Sequence, residues 1–507
     1  MIDLAGGMER VSVLVVGAGP TGLLLAAELQ RRGVSCKLIE ARPEPPHWDR
    51  ATVIHPRSLE VFESLGLIDR FLEAGTKQRR IKIYSGGQLL GTLDLSECGS
   101  PYGFNLGLSE EVTESILTDY LCALGGSAHR SARLVGAIPH SDGVLAEVEQ
   151  DGSRYRVDAG WMVGCDGAHG TTRELSGIGL EGHDIAEPWA VFDATIAGWT
   201  DDFELNVGYL DSIPVILTAL PARRWRVYLR PSSPESDLVE DAASAVRQYA
   251  AAAAFIDVAN PTRFHCSSKV ATRFRSGRVL LAGDAAHLCS PAQGHGMNTG
   301  LQDAFNLAWK LALVCDGVAD SSLLDSYETE RRPVAQMVAQ SGDMIEQAEM
   351  LTGRAERRDR DAAIRATFAE PASRHNEIVA ETELNVDYSA SPIVFGDAGS
   401  PPTAGQRVPN TIPVRSAGHT LALVAGATES SEFTSLLDDL RKVVDRSRVF
   451  EAVVPLGTSH ALGGRGNTTL LVIRPDGYVG MCCERDHLEA LERYHRLVTA
   501  RSSAIAK

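Results

Sequence analysis

Three glycines, Gly17, Gly19 and Gly22, stand in VVGAGPTG, directly after the apolar run VSVLVV at 11–16 and within the start of PTGLLLAAELQRR at 20–32. A glycine turn between a buried strand and a helix suits a pyrophosphate. The first glycine lets the chain turn tightly. The second lets the backbone approach the anion. The third lets helix and strand pack, and the helix N-terminus faces the negative charge. Glu40 closes a second β-rich run, VSCKLIE at 34–40, where a carboxylate can bind both hydroxyls of a ribose. Gly33 is a natural stop for the intervening helix, so strand, helix and strand make a βαβ unit opening a parallel sheet. The pattern specifies a dinucleotide without saying which.

The stretch GDAAHLCSPAQGHGMNTGLQDAFNLAWKL, 283–311, separates FAD from NAD. RVLLAG at 278–283 reads as a buried strand that delivers Asp284, a carboxylate able to accept hydrogen bonds from a polyhydroxyl chain. Pro291 ends this strand-loop segment. Gly294 and Gly296 let backbone N–H groups come close to a flat ring. Met297 and Asn298 open a helix whose N-terminal partial charge suits the negative N1–C2=O edge of a reduced flavin. VGCDGAHGTTR at 163–173 runs a strand into Asp166-Gly167, with Arg173 beyond; alone it reads equally as an ordinary turn. His287 and His295 flank the flavin loop, and His295 is the better candidate for a substrate contact.

These residues need elements to position them. Helical patterns are predicted at 57–67, 112–124, about 299–315 and 321–352, and a hairpin turn at Asp151-Gly152. Between 186 and 269 the segments AVFDATIAGW, ELNVGYL, PVILTAL and RWRVYLR alternate like strands, predicting a mostly antiparallel substrate-binding sheet inserted into the nucleotide domain. The substrate then lies between the flavin loop and this sheet, with Phe192, Tyr209, Trp225 and Tyr228 as wall candidates. The stretch DAGSPPTAGQRVPN, 397–410, with three prolines, reads as a linker to a small α/β domain. A cut near residue 400 is then expected to spare nucleotide binding.

Bulk properties bound the partners. The chain has 507 residues, enough for two or three domains, and a net charge of −17, which argues against nucleic-acid and anionic-membrane partners. Nine cysteines without CxxC pairs suit reduced thiols. The acidic start MIDLAGGMER is no signal peptide and no long apolar run spans a membrane, so a cytoplasmic protein is expected. No metal site is predicted.

Together, GAGPTG with its acid, CDGAHGTTR and AGDAAHLCSPAQGHGMNTGLQDAFNLAWKL resemble the group A flavoprotein aromatic monooxygenases, of the phenol-hydroxylase and polyketide-hydroxylase type. SYETERRPVAQ at 326–336 and DYSASPIV at 387–394 fit too, so the resemblance spans about 11–395. It implies an α/β FAD-binding domain of the doubly wound, glutathione-reductase-like class over 1–185 and 270–395, with a helical extension. It also implies the inserted β-sheet domain over 186–269 and a C-terminal thioredoxin-like domain over 400–507, here lacking CxxC.

In this reading Gly17, Gly19 and Gly22 cradle the pyrophosphate and Glu40 binds the adenosine ribose. Arg50 contacts the phosphates, Asp166 serves FAD and pyridine nucleotide, and Asp284 holds the ribityl chain. Pro291, Gly294, Gly296, Met297 and Asn298 lie along the isoalloxazine. Gln293 and Glu110 depart from the family's usual residues. The implied reaction uses NADPH or NADH and O2 to hydroxylate an aromatic small molecule through a flavin C4a-hydroperoxide, as in antibiotic biosynthesis. The implied assembly is a monomer or homodimer, and sequence names no catalytic base. The rival readings are another flavin reaction, such as Baeyer–Villiger oxygenation or dehydrogenation, and a non-catalytic flavin-binding interaction protein.

Overall fold

Strand Glu9–Val16 lies at the centre of an eight-stranded sheet, parallel to Cys36–Ile39 on one side and to Ser153–Gly164 on the other. A strand covered on both faces reads as a continuous apolar run, which is what VSVLVV is. Val279–Leu281 extends the parallel order beyond Ser153–Gly164. The chain therefore leaves the sheet at Gly164 and returns through the short edge strand Arg275–Ser276, which turns back into Val279–Leu281. Gly17, Asp166 and Asp284 follow the carboxyl ends of three of these strands, the edge where open α/β sheets bind ligands. Gly143–Gln150 and Ser153–Gly164 form the predicted hairpin, with Asp151 at φ 51° and Gly152 at φ 76°, the two positive values a type I′ turn requires. The computed structural model describes residues 8–45, 51–199, 202–396, 401–409, 412, 417–426, 431–457, 462 and 467–499.

The second sheet has seven strands, in the order Ala254–Phe264, Trp189–Ala197, Arg224–Leu229, Val215–Leu220, Leu205–Tyr209, Arg80–Ser85 and Gln88–Asp94. It is wider than 186–269, because residues 80–94 complete it and Leu205–Tyr209 pairs parallel with Arg80–Ser85. A helix, Leu238–Arg247, interrupts the strands. Asp237 caps it by accepting from the N–H groups of Val239 and Glu240, and Leu238, Ala242, Ala245 and Val246 are buried against one face of the sheet. Helices Asp325–Glu349, Arg354–Ala369 and Pro371–Glu381 follow the long helix His295–Cys315.

A third, five-stranded mixed sheet joins Phe395–Gly396, Val479–Cys483, Thr469–Ile473, His419–Val424 and Phe450–Leu456. Its first strand precedes the predicted linker. The described part of that stretch is packed rather than free: Gly405 N–H donates to Val479 O at 2.7 Å and Arg407 pairs with Glu60 at 2.8 Å. Arg474 reaches into the helices and donates to both oxygens of Glu330 at 2.7 Å. Glu330 also accepts from Lys310, Asn306 and Ser391. The Asp476 carboxylate accepts from Asn306 and the Trp309 indole, and its carbonyl accepts from Arg57 at 2.6 Å. Among the described residues, no helix is long and apolar enough to cross a membrane.

Candidate active site

One cavity of about 1720 Å³ runs from the glycine turn to the seven-stranded sheet. Small-molecule pockets are usually about 300–1,000 Å³, so this one has room for a large cofactor and a second molecule. At its nucleotide end, Gly17 has φ +102°, and a Cβ there would lie 2.3 Å from Cys165 O. A Cβ on Gly22 would lie 1.9 Å from Gly17 O. Gly19 differs: the nearest atom to a Cβ would be Glu114 Oε1 at 3.9 Å, and the residue lines the cavity. Gly22→Ala is expected to lower the melting temperature. Gly19→Val is expected to leave the fold intact and to empty the cavity of flavin. Thermal melts beside flavin absorbance separate the two; a Gly19→Val protein with full flavin would contradict this division.

Glu40 accepts from Ala18 N–H and Arg42 N–H, both at 2.8 Å. Burial pushes its carboxyl up, but these donors and the Arg42 guanidinium outweigh burial and hold it below its ordinary value. Glu40 thus faces the cavity as a carboxylate. Arg50 lies outside the described residues.

Asp166 Oδ2 accepts from the Thr172 N–H and hydroxyl, both at 2.9 Å, and so caps the short helix Thr171–Leu175. Its Oδ1 is buried with no hydrogen-bond partner among the described residues, and burial pushes the carboxyl up. Arg173 donates to Ala168 O at 2.9 Å and to Ala285 O at 3.2 Å, tying this loop to the turn that carries Asp284. Asp284 is exposed within the cavity wall. Its turn is fixed from below by Asp303, which accepts from Gly283 N–H at 3.1 Å, lies 2.7 Å from His287 Nε2 and pairs with Arg331 at 2.7 Å. His287 is therefore buried behind the turn.

The next loop divides the predicted residues. Pro291, Gly294, Gly296 and Met297 line the cavity, with Gly294 at φ +68° just before the helix. The Asn298 side chain does not line it. It is fully buried, accepts from His55 N–H at 2.9 Å and donates to Val53 O and Gly294 O at 2.8 and 2.9 Å. Two of these three bonds clamp the start of the helix onto the segment 53–55. His295 also turns away: it is buried, edge-on to His55 at 4.8 Å, with Nε2 3.4 Å from Glu381 O. Burial and the neighbouring His55 push its pKa down to about 3, so a substrate contact for its side chain is corrected to a neutral packing role.

Three of the four aromatic candidates are corrected by strand alternation. Phe192, Tyr209 and Trp225 share the sheet face covered by helix Leu238–Arg247 and do not line the cavity. Only Tyr228 faces it, with its hydroxyl 3.2 Å from Thr52 Oγ1. Residues two apart share a face, and Tyr228 stands an odd number of positions from Trp225. The front face instead presents Ile81, Ile83, Asn206, Ile216 and Thr218. Opposite lie Ser341, Ile345, Glu349, Phe368 and Glu381 from the helices. Sequence reading missed these because no local motif marks them. Gln293 bridges the two parts, since its Oε1 accepts from Ser341 at 2.9 Å.

Residues 10–341 match the family model described as FAD binding domain. The chain belongs to that family. This flavoprotein is 32% identical over 471 residues, 87% of its length and 85% of the relative's, to pentachlorophenol 4-monooxygenase of Sphingobium chlorophenolicum. It is 37% identical over 330 residues to 6-methylpretetramide 4-monooxygenase of Streptomyces rimosus, a match covering 64% of this chain and 59% of that one. Among solved structures, the anhydrotetracycline hydroxylase OxyS of Streptomyces rimosus aligns with a TM-score of 0.75 at 28% identity, covering 96% and 99% of the two chains. The flavoprotein is thus a FAD-dependent monooxygenase of the aromatic-hydroxylase fold, with mixed α/β sheets.

Proposed function

We propose that this flavoprotein hydroxylates a phenolic or polyketide-like aromatic substrate held between the loop 289–297 and the front face of the seven-stranded sheet. The observation that carries the reading is the continuity of one cavity from Gly19 and Glu40, past Asp284, to Tyr228 and the helices. The residues fit FAD. Gly19 leaves open the space a pyrophosphate takes, Glu40 offers a carboxylate to a ribose, and Asp284 is exposed in the wall midway. Gly294, Gly296 and Met297 would flank the ring system, while Asn298 and Asp303 hold those groups in place from behind.

FAD held there and reduced by NADPH or NADH would supply the oxygen chemistry, one atom of O2 going to an electron-rich ring and the other leaving as water. The chain's own part is to orient and to keep water out. Ile81, Ile83, Ile345 and Phe368 form apolar walls. The three-layer division follows the same reading: a doubly wound nucleotide domain, a substrate sheet completed by residues 80–94, and a thioredoxin-like C-terminal domain without its redox thiols. Action in the cytoplasm, as a monomer or homodimer, belongs to this reading too. The expected purified protein is yellow, and acid or heat releases its FAD. Flavin that stays with the denatured chain would contradict non-covalent binding.

A further inference from the structure

A chain of polar side chains runs from the cavity wall to the back of the loop 289–297. His55, at the N-cap of helix Pro56–Ser64, is fully buried. Its Nδ1 is 3.1 Å from Asn105 Oδ1, and its Nε2 is 3.2 Å from Gln293 O, the carbonyl just before Gly294. Both ring nitrogens thus face oxygen acceptors. Burial pushes the His55 pKa down to about 4, so the ring is neutral near pH 7 and has one hydrogen for two acceptors. The Asn105 side chain, also fully buried, donates its amide to Glu381 Oε1 at 3.1 Å. Glu381 ends helix Pro371–Glu381 and lines the cavity.

The protonation of Glu381 decides whether every contact in this chain has a hydrogen. An ionised Glu381 only accepts, so Asn105 turns its N–H groups toward it and its oxygen toward His55. The aligned amide strengthens the bond from His55 Nδ1–H, and Gln293 O is left facing a ring nitrogen without a hydrogen. A protonated Glu381 donates instead. With the amide turned over, the Glu381 hydroxyl donates to Asn105 Oδ1, Asn105 Nδ2 donates to His55 Nδ1, and His55 Nε2–H donates to Gln293 O. We propose that Glu381, Asn105 and His55 are positioning residues, a relay in which one proton on Glu381 at the cavity wall fastens the Gln293 carbonyl and with it the loop 289–297. Its effect on FAD rests on the reading that this loop flanks the ring system.

The surroundings of Glu381 favour such a proton. Among the described residues, the charges that reach it are those of Glu377 and Glu383 on its own segment, while His55 and His295 face it as neutral imidazoles. Burial, opposed by the Asn105 amide and aided by Glu383 and Glu377, pushes its carboxyl up to about 8. Burial also pushes Glu383 up to about 8 and Glu349 up to about 7, so the test must separate three acids.

FAD release from the loaded protein, followed by the rise in flavin fluorescence on dilution between about pH 6.5 and about pH 9, does so. Release is expected to be roughly two- to tenfold faster above the midpoint, the worth of one hydrogen bond. Glu381→Gln, whose amide donates at every pH, should release slowly throughout. Glu349→Gln should keep the wild-type profile, and Glu383→Gln should keep the step at a lower midpoint. The imidazole nitrogen NMR shifts of His55 in the wild-type chain, assigned by their loss in His55→Gln, read the relay without any change at Glu381. They should report the Nε2–H tautomer below the midpoint and the Nδ1–H tautomer above it. A pH step that survives in Glu381→Gln overturns the proposal, as does a single His55 tautomer on both sides. A tautomer change beside a flat release profile keeps the relay and overturns the reading that this loop holds the flavin ring.

Discussion

Glu330→Ala is expected to lower stability by about 3–5 kcal/mol, the usual cost of breaking a buried ion pair from one side. Glu330 is buried beneath Arg474, Lys310, Asn306 and Ser391, with contacts of 2.6–2.7 Å. Its loss leaves the Lys310 ammonium buried opposite an apolar methyl. Domains are stable by only about 5–15 kcal/mol, so much of the margin goes. Burial pushes the Glu330 carboxyl up, but Arg474 and Lys310 outweigh it and hold it far below the carboxylate range. A depressed carboxyl contributes stability above its unfolded value of about 4.3, and the contribution is lost as pH falls below that. Chemical denaturation at neutral and acidic pH checks both claims: a wild-type-like midpoint, or a gap between variant and wild type that widens in acid, would contradict them. The same network revises the expected effect of cutting near residue 400. The truncated chain would strip Arg474 and Asp476 from Glu330, Asn306 and Trp309 and expose the apolar surface of Trp309, Ala319 and Leu323. It is expected to be insoluble.

Asp284→Ala is expected to lose most of its FAD while keeping its fold. The turn beneath Asp284 is secured by Asp303, Arg331 and Arg173, none of which uses the Asp284 side chain. Removing a charged hydrogen-bond partner costs about 1.5–3 kcal/mol, roughly ten- to a hundredfold in affinity. Flavin occupancy after gel filtration, beside a melting curve, reads both parts. Near-complete occupancy would mean that the carboxylate does not touch the cofactor.

The nucleotide half was legible because its chemistry is local. Gly17, Glu40 and Asp284 each follow a buried strand and Gly22 lies in the first turn of the helix after Gly17, so local spacing is enough to bring them to one edge of the sheet. The substrate half was not. Strand alternation decides which aromatic faces the cavity, and without the register Phe192, Tyr209 and Trp225 look no different from Tyr228. Residues 80–94 join the sheet across more than a hundred residues, which no local pattern reveals. Asn298 and His295 follow the loop that lines the cavity, but helix phase turns their side chains into the protein. Glu349 and Glu330 sit in ordinary helical sequence; burial sets both apart, Glu330 inside a network of donors that only the tertiary fold assembles. The prolines of 397–410 mark an irregular backbone, and an irregular backbone can still be packed, as Gly405 and Arg407 are.

Oxygen transfer to an aromatic ring by bound flavin can be followed directly. The most direct measurement is the product mass after turnover of a phenolic multi-ring aromatic with NADPH under isotopically labelled dioxygen. The expected product is heavier by one labelled oxygen atom and forms only while NADPH is consumed. NADPH consumption that yields peroxide and unchanged aromatic across a panel of such compounds, or a product whose oxygen comes from water, would contradict it.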